Sequence, residues 1–327
     1  MRVSHAALAL AAGLGLALSG LVGPSQAQQA PSGRTITIIV PIAPGGAVDS
    51  SARLMAEKLQ ERLGEPVVVE NRPGAGGVIG VSAVTRAEPD GRTLLMMASS
   101  TVTHRWLQKD VPYDILTDIV PIARVATTSL ALFAHPSVPA NDVKGLIELA
   151  RKPNHGLTVS LNGVGTPHHL ANLLLKSQAK IDLPEVAYRG TGPGIPDFLA
   201  GRVPLMWATP VALVSLLQAG KIKTLGVASP ERASLLPDVP TIAENALPGF
   251  RVEIWTALAA PAGTPPEIME RYAKALEEIV ALPDIKERGA KLGMDMGYVH
   301  GKVFSKTVAE DHARFGKLVQ DAGIALK

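Results

Sequence analysis

Residues Val67–Gly80 read VVVENRPGAGGVIG, an apolar run, then a loop crowded with glycine, then a second apolar run. This layout is typical of a strand, a tight loop and a helix. Gly74 and Gly76 start a dinucleotide-binding Gly-x-Gly-x-x-Gly fingerprint, but its third position holds Ile79. The chain also has no Gly-Lys pair followed by Ser or Thr, which a Walker loop needs. The stretch therefore predicts a strand–loop–helix unit that holds something other than a nucleotide.

The same strand–loop–helix unit recurs along the chain and decides the fold class. Further copies begin at the apolar runs Thr35–Val40, Leu157–Ser160 and Val186–Tyr188, each followed by a loop with glycine. Strand-length apolar runs that alternate with helical patterns predict an α/β protein whose mostly parallel sheets are flanked by helices. In open parallel sheets, ligands bind outside the carboxyl ends of the strands, where such loops lie. Two loops from each half of the chain therefore predict a ligand cleft between two lobes.

Two extended segments divide the chain into the predicted lobes. Val125–Ala134 and Arg251–Ala260 each lead into a turn that contains proline, and we interpret them as crossovers between the lobes. We predict that residues 34–126 plus 251–327 form lobe one and that residues 127–250 form lobe two. About 300 residues without the N-terminal segment are enough for two separate cores.

The N-terminal segment has the features of a secretory signal peptide. Arg2 precedes an apolar run from Ala6 to Val22, and Ser25-Gln26-Ala27 places small residues where a signal peptidase reads. We predict a signal peptide over residues 1–27. The chain has no cysteine, which excludes disulfides and a lipid anchor on a cysteine after the signal. We therefore expect an exported protein that diffuses freely in the periplasm as a monomer.

Charge and motif searches narrow the function classes. The 32 basic and 29 acidic side chains are mixed along the chain, so nucleic acid is not an expected partner. There is no Gly-x-Ser-x-Gly elbow, no Ser-x-x-Lys tied to a Lys-Thr-Gly, and no cysteine nucleophile. We therefore predict no catalytic residues and no enzyme, and a hydrolase that processes carboxylates is the disfavoured alternative.

His168-His169 is the most suggestive metal motif, but adjacent residues on a helix point about a quarter turn apart and rarely share an ion. No His-Glu-x-x-His pattern occurs, and we predict no metal and no cofactor. One imidazole would pack within its lobe while the other faces the cleft as a neutral donor. Asp49 has two interpretations of equal weight, because it could favour the helix dipole or contact the ligand.

With catalytic and metal motifs set aside, the sequence favours ligand recognition by backbone amides, hydroxyl groups and helix N-termini. Thr166-Pro167, Thr209-Pro210 and Thr264-Pro265 are each typical of a helix start, with threonine as the cap and proline in the first helical position. Amides at such a start point back into the preceding loop and favour an anion. Hydroxyl groups on the candidate loops belong to Ser99, Ser100, Thr101, Thr166 and Thr191. A glycine after a strand is often only a tight turn, but four loops in equivalent places favour anion binding.

A series of motifs, in order along the chain, resembles one known family. The motifs are IIVPIAPGGAVDSSAR, VVVENRPGAGGVIG, PDG, VPYD, GVGTPHHLA, YRGTGPGIPDFLAGRV, LPDVPTIAE and PAGTP. They closely resemble the periplasmic solute-binding proteins of tripartite tricarboxylate transporters, the Bug family, from about Arg34 to the end. The resemblance implies a two-lobed Venus-flytrap fold that captures a small carboxylate, commonly a di- or tricarboxylate or an acidic amino acid. It also implies delivery of that ligand to membrane permease subunits.

The resemblance further implies which loops hold the ligand. Loops from lobe one would hold one carboxylate, partly through water, and loops from lobe two would close on it. The ligand-binding residues predicted in this way are Ala43, Pro44, Gly45, Gly46, Asp49, Ala75, Gly76, Gly77, Ser99, Ser100, Thr101, Gly163, Gly165, Thr166, His168, His169, Tyr188, Gly190, Thr191 and Thr209.

Departures from the family pattern bear on the ligand and its use. The family often has Asp-Asn or a similar polar pair where this chain has Ala208-Thr209, and an acid there suits an amino group. We therefore expect a ligand without an ammonium group. His168 stands where the family tends to have a smaller residue. Family members can also present their ligand to a membrane-bound histidine kinase, and this sensory use remains open beside transport.

Overall fold

The computed structural model describes residues 35–324, so the predicted signal peptide lies outside the described residues. The strands in this range are β1 (Ile36–Val40), β2 (Val67–Asn71), β3 (Thr93–Ala98), β4 (Ile119–Thr128), β5 (Ala131–Ala134), β6 (Val159–Leu161), β7 (Glu185–Ala187), β8 (Leu205–Ala208), β9 (Lys223–Val227), β10 (Ile254–Pro261) and β11 (Asp295–His300). The helices are α1 (Ala47–Leu63), α2 (Val78–Thr85), α3 (His104–Leu107), α4 (Val143–Ala150), α5 (Pro167–Ala179), α6 (Thr191–Leu199), α7 (Pro210–Gln218), α8 (Ile242–Asn245), α9 (Pro266–Ala281), α10 (Pro283–Lys291) and α11 (Gly301–Asp321). Short 3₁₀ turns cover Ala75–Gly77 and Ser99–Thr103.

The strands form two sheets, which confirms the α/β fold class. Sheet one has the order β11-β4-β10-β3-β1-β2, and sheet two has the order β7-β6-β8-β5-β9. In sheet one, β3, β1 and β2 are parallel neighbours, and in sheet two β7, β6 and β8 are parallel neighbours. The carboxyl ends of each parallel trio therefore lie at one edge of their sheet.

The sheets are mixed, whereas we predicted mostly parallel ones. Strands β4, β10 and β11 pair antiparallel in sheet one, and β5 pairs antiparallel with both β8 and β9 in sheet two. The physical reason is the route of the chain. Because β4 leads out of sheet one and β10 leads back into it, these neighbours must run in opposite directions.

The outward passage between the sheets is short, whereas the return from β9 to β10 covers residues 228–253 and contains α8. Only Ser129 and Leu130 separate β4 from β5. Ala228, just after β9, donates its amide to the Leu130 carbonyl at 2.7 Å and accepts from the Val252 amide at 2.9 Å. The predicted lobe limits at residues 126/127 and 250/251 fall beside these passages, and they stay a prediction.

Local sequence signals account for most of the helices. Val48, Ala52, Met55 and Leu59 on α1 are buried at helical spacing, and Gly64 ends the helix with a left-handed φ of 66°. Phe304, Val308, Phe315 and Val319 on α11 are buried as their spacing predicts. Among residues 35–324, no helix has both the length and the apolar composition needed to cross a membrane.

The three Thr-Pro helix starts differ in outcome. Thr166 caps α5, since its hydroxyl oxygen accepts a hydrogen bond from the His169 amide at 3.4 Å. Thr209 stands in the cap position of α7 without a capping side-chain bond. The prediction for Thr264 is wrong, because α9 begins at Pro266 and the Thr264 hydroxyl donates to the Pro261 carbonyl instead. The second proline takes over the first helical position.

Candidate ligand-binding cleft

Loops that follow β2, β3 and β6 meet at one cavity of about 310 Å³. Four of the predicted residues line it: Gly76 and Ser100 come from sheet one, and Gly165 and Thr166 come from sheet two. The two sheets approach closely here, because a Cβ atom built on Gly165 would lie 2.5 Å from a methyl carbon of Leu107. The structure thus brings together two loops from one half of the chain and one loop from the other.

Neutral groups dominate the walls of this cavity. Val164 and Pro167 also line it and belong to the predicted loop around Thr166. Sequence reasoning missed the other five lining residues: Thr103, His104, Leu107, Gln108 and Ile324. None of the described lining residues is Lys, Arg, Asp or Glu. Recognition inside the cavity must therefore come from backbone amides, hydroxyl groups, an amide side chain and imidazole.

The first predicted loop, Ala43–Gly46, follows β1 and does not line the cavity. Its shape depends on Asp49, whose carboxylate accepts from the Gly45 amide at 3.0 Å and from Arg53 and Asn71. Burial alone would raise the pKa of Asp49, but the hydrogen bonds from Arg53, Gly45 and Asn71 hold it below its ordinary value. With these partners, Asp49 positions the loop, and a ligand contact by its carboxylate has no support in this geometry.

The second loop contains the stretch that raised the nucleotide question. Gly74–Gly77 all have positive φ, from 45° at Ala75 to 132° at Gly74, which three glycines make possible. A third fingerprint glycine would let the helix approach the strand closely. In this chain Gly80, one residue after Ile79, allows that approach. A Cβ atom there would lie 2.7 Å from Pro41 Cα and 2.8 Å from the Arg72 carbonyl oxygen. The strand and the helix therefore pack tightly, although the loop lacks the glycine spacing of a dinucleotide-binding fingerprint.

The third segment from sheet one is the turn after β3. Ser99 and Thr101 are buried, and their hydroxyl groups have no hydrogen-bond partner within residues 35–324. His104, at the end of the same turn, also has one unpaired ring nitrogen, Nε2. Of these three residues only His104 lines the cavity, so the Ser99 and Thr101 hydroxyl groups are not placed to meet a ligand there.

His169 is the imidazole that packs within its own half of the chain. Its Nδ1 accepts from the Gly165 amide at 2.9 Å, and its Nε2 lies 3.2 Å from a Glu185 carboxylate oxygen. Burial would raise the pKa of Glu185, but hydrogen bonds from His169 and Asn172 lower it overall. Both nitrogens of His169 are occupied, so this residue positions the Gly165 loop and has no free donor for a ligand.

His168 is the second imidazole, and its partner Asn162 was missed. The Asn162 side-chain amide lies 3.0 Å from His168 Nε2 and donates to the Thr191 hydroxyl at 2.7 Å. Asn162 thus links two of the predicted loops. His168 Nδ1 has no partner in the described part of the chain, and burial lowers the pKa of this imidazole to about 4. His168 is therefore neutral at pH 7 and has one unused nitrogen.

The remaining predicted residues lie on neighbouring loops. The Tyr188 hydroxyl donates to Asp197 at 2.6 Å, and this hydrogen bond raises the pKa of Tyr188. Gly163 and Gly190 have φ of 112° and 113°, conformations that glycine adopts readily. Tyr188 therefore holds its loop against α6, and none of these three residues lines the cavity.

Metal chemistry finds no support in the described side chains. Within residues 35–324, no cluster of three or more His, Cys, Asp or Glu side chains is arranged to hold a metal ion.

The chain is similar to known proteins of one family. A family described as "Tripartite tricarboxylate transporter family receptor" matches residues 51–324. The "UPF0065 protein in tcbD-tcbE intergenic region" of Pseudomonas sp. (strain P51) is 37% identical over 309 residues, covering 94% of this chain and 92% of that protein. The solved structure of R. palustris Rpa4515 with adipate is 31% identical with a TM-score of 0.74, covering 91% and 99% of the two chains. MatC (Rpa3494) from Rhodopseudomonas palustris with bound malate is 32% identical with a TM-score of 0.69, covering 88% and 99%.

The fold and its cleft define a solute-binding protein of the periplasmic type, and the family and its solved members are binding proteins and not enzymes. The chain belongs to the tripartite tricarboxylate transporter receptors, the Bug family, as its motifs predict.

Proposed function

We propose that this chain is an exported periplasmic receptor that captures a small dicarboxylate in the cleft and delivers it to a tripartite tricarboxylate transporter permease. The observation that carries the proposal is the uncharged cavity lined by Gly76 and Ser100 on one side and by Gly165 and Thr166 on the other. Solved relatives with adipate and with malate support the ligand class. The family description supports the permease as partner.

The size of the cavity fits a short acid. A volume of about 310 Å³ lies at the lower end of the range of small-molecule sites, roughly 300 to 1,000 Å³. A cavity of this size holds a short acid together with ordered water, whereas a nucleotide is a poor fit.

The energetics require both halves of the chain to contribute. One helix N-terminus stabilises a partly buried anion by at most about 2 kcal/mol, whereas micromolar affinity needs about 8 kcal/mol. Each charge-assisted hydrogen bond adds about 1.5–3 kcal/mol. Donors from the loops of both sheets could supply the difference when the cleft closes on the acid and excludes water. The two lobes with the limits given above are part of this proposal.

The lack of an acid beside the cavity bears on ligand choice. Ala208 and Thr209 end β8 where an acid would suit an ammonium group, and Asp49 is already paired with Arg53. We therefore expect plain dicarboxylates to bind more tightly than aspartate or glutamate. No observation favours the sensory use over transport, so transport is the function we propose.

A thermal-shift screen of ligand-free protein tests this proposal. Malate, succinate and adipate at a hundred times their dissociation constants should each stabilise the folded protein by about 2.7 kcal/mol. Aspartate and glutamate at the same concentrations should give smaller shifts. If no carboxylic acid raises the unfolding midpoint of protein refolded free of retained ligand, the proposed function is wrong.

A further inference from the structure

The cavity has an apolar wall whose residues come from both halves of the chain. Leu107 ends α3, Val164 lies in the loop after β6, and Ile324 follows α11. Leu107 reaches the loop of sheet two, since a Cβ atom on Gly165 would lie 2.5 Å from one Leu107 methyl carbon and 3.4 Å from the other. We call Leu107, Val164 and Ile324 the aliphatic wall.

Part of the aliphatic wall is uncovered. Val164 is 48% exposed, and Leu107 and Ile324 are only partly buried against the core. Contact between such side chains and a hydrocarbon group is favourable, because it removes apolar surface from water. The same side chains offer a ligand hydroxyl no hydrogen bond in place of those that it loses to water. The wall can therefore distinguish a methylene group from a carbon that carries a hydroxyl group.

Two hydroxyl groups among the lining residues are already used within the protein. The Thr103 hydroxyl donates to the Ser100 carbonyl oxygen at 2.8 Å, and the Thr166 hydroxyl donates to the Gly163 carbonyl oxygen at 2.9 Å. Each of these hydroxyl groups has only one proton to donate. Neither is placed to pair with a further hydroxyl group on a ligand without giving up its own bond.

The side-chain amide of Gln108 and the hydroxyl of Ser100 also line the cavity. Gln108 lies over the glycine loop, since a Cβ atom on Gly76 would lie 3.1 Å from its Nε2. Carboxamide and hydroxyl groups suit a carboxylate, which only accepts hydrogen bonds. A hydroxyl group on the carbon chain of the ligand would compete with the carboxylate for these groups or would be buried against the aliphatic wall.

We propose that the aliphatic wall selects acids with an unsubstituted hydrocarbon chain over acids of the same length that carry a hydroxyl group on that chain. The inference rests on the proposed function, because it needs a carboxylate ligand in this cavity. It names the chemistry of the ligand between its acid groups, which neither the motifs nor the family match assigns.

Two matched pairs of acids measure this selection on the wild-type protein. Succinate and malate differ by one hydroxyl group, as do glutarate and 2-hydroxyglutarate. By calorimetry at pH 7.5, where all four acids are dianions, the acid without the hydroxyl group should bind about five- to tenfold more tightly in each pair. Malate that binds as tightly as succinate would overturn the inference and leave the proposed function standing. If no dicarboxylate binds, the proposed function fails first and the inference fails with it.

Polar replacements of similar shape test the wall itself. Val164→Thr and Leu107→Asn each add a group that can pair with a ligand hydroxyl, and each should lower the preference for succinate over malate by about threefold or more. Val303→Thr is the matched control, because Val303 is 67% exposed on α11 and does not line the cavity, so its preference should equal that of the wild type. An unchanged preference in Val164→Thr would overturn the role of the wall. This exposed site keeps the test decisive even where Leu107→Asn does not fold.

Discussion

At the scale of single residues, the polar side chains around the cleft divide into those whose hydrogen-bonding atoms are all paired and those with an unpaired atom. Asp49 and His169 attract attention in the sequence, yet their hydrogen-bonding atoms are occupied by Gly45, Arg53 and Asn71 or by Gly165 and Glu185. His168 has a ring nitrogen without a partner among the described residues. The two groups look alike in sequence, because hydrogen-bond partners distant in the chain decide which role a residue has.

The two neutral histidines predict a particular dependence of stability on pH. The pKa values of His104 and His168 are lowered by burial from 6.5 to about 4, so between these values the unfolded chain binds more protons than the folded one. Stability should be fully present above pH 6.5 and should fall as the pH drops toward 4. The loss at pH 5 is about 2 kcal/mol for each residue.

Urea unfolding of ligand-free protein at pH 7.5 and pH 5 measures this loss. The double variant His104→Gln with His168→Gln should lose about 4 kcal/mol less between the two pH values than the wild type does. An identical loss in both proteins would show that the two rings are protonated in the folded state.

At the scale of elements, α11 supports the turn that carries the unpaired donors. Gly316 on α11 packs against Trp106, and a Cβ atom there would lie 2.3 Å from Trp106 Cε2. His312, one turn earlier, contacts the Trp106 ring at 5.5 Å between centroids, and its Nδ1 lies 2.7 Å from the Val102 carbonyl oxygen. Through these contacts α11 holds in place the segment that lines the cavity.

Gly316→Ala should therefore destabilise the protein although alanine favours helix. We expect a loss of about 1–3 kcal/mol from overpacking, together with weaker malate binding because Trp106 lies two residues from His104. Gly297→Ala is the control, since its Cβ atom would meet only Arg124 at 3.8 Å. Urea unfolding and calorimetry measure the two effects. An unchanged or increased stability of Gly316→Ala would contradict this packing.

The sequence predicts where the helices and strands lie better than it predicts which strands and side chains pair with each other. Apolar runs and glycine loops locate β1, β2, β6 and α1 to within a few residues, because these signals are local. The direction of β10 beside β3 and β4 depends on contacts far apart in the chain, so the mixed sheets were not predicted. The His104–Tyr113 and Asn162–Thr191 pairs were missed for the same reason. Only the VPYD motif, which contains Tyr113, gave a sign that this segment matters.

At the scale of the whole molecule, the two sheets are joined by paired passages, and the return passage is anchored on α11. Asp311 is buried and accepts hydrogen bonds from Arg251 at 3.0 Å, Arg314 at 2.9 Å and Trp255 Nε1 at 3.2 Å. Burial lowers the pKa of Arg314, while the Asp311 carboxylate opposes that effect. A return passage anchored in this way suits a cleft that opens and closes about a defined axis, which is how the proposed receptor would trap its ligand.

A crystal structure of the protein with malate tests the central claim most directly. The account predicts malate inside the cavity, with carboxylate oxygens within about 3.2 Å of donors on both sides, from Gly76 or Ser100 and from Thr166. Malate bound elsewhere on the protein, or held by the loops of one sheet alone, would contradict the account.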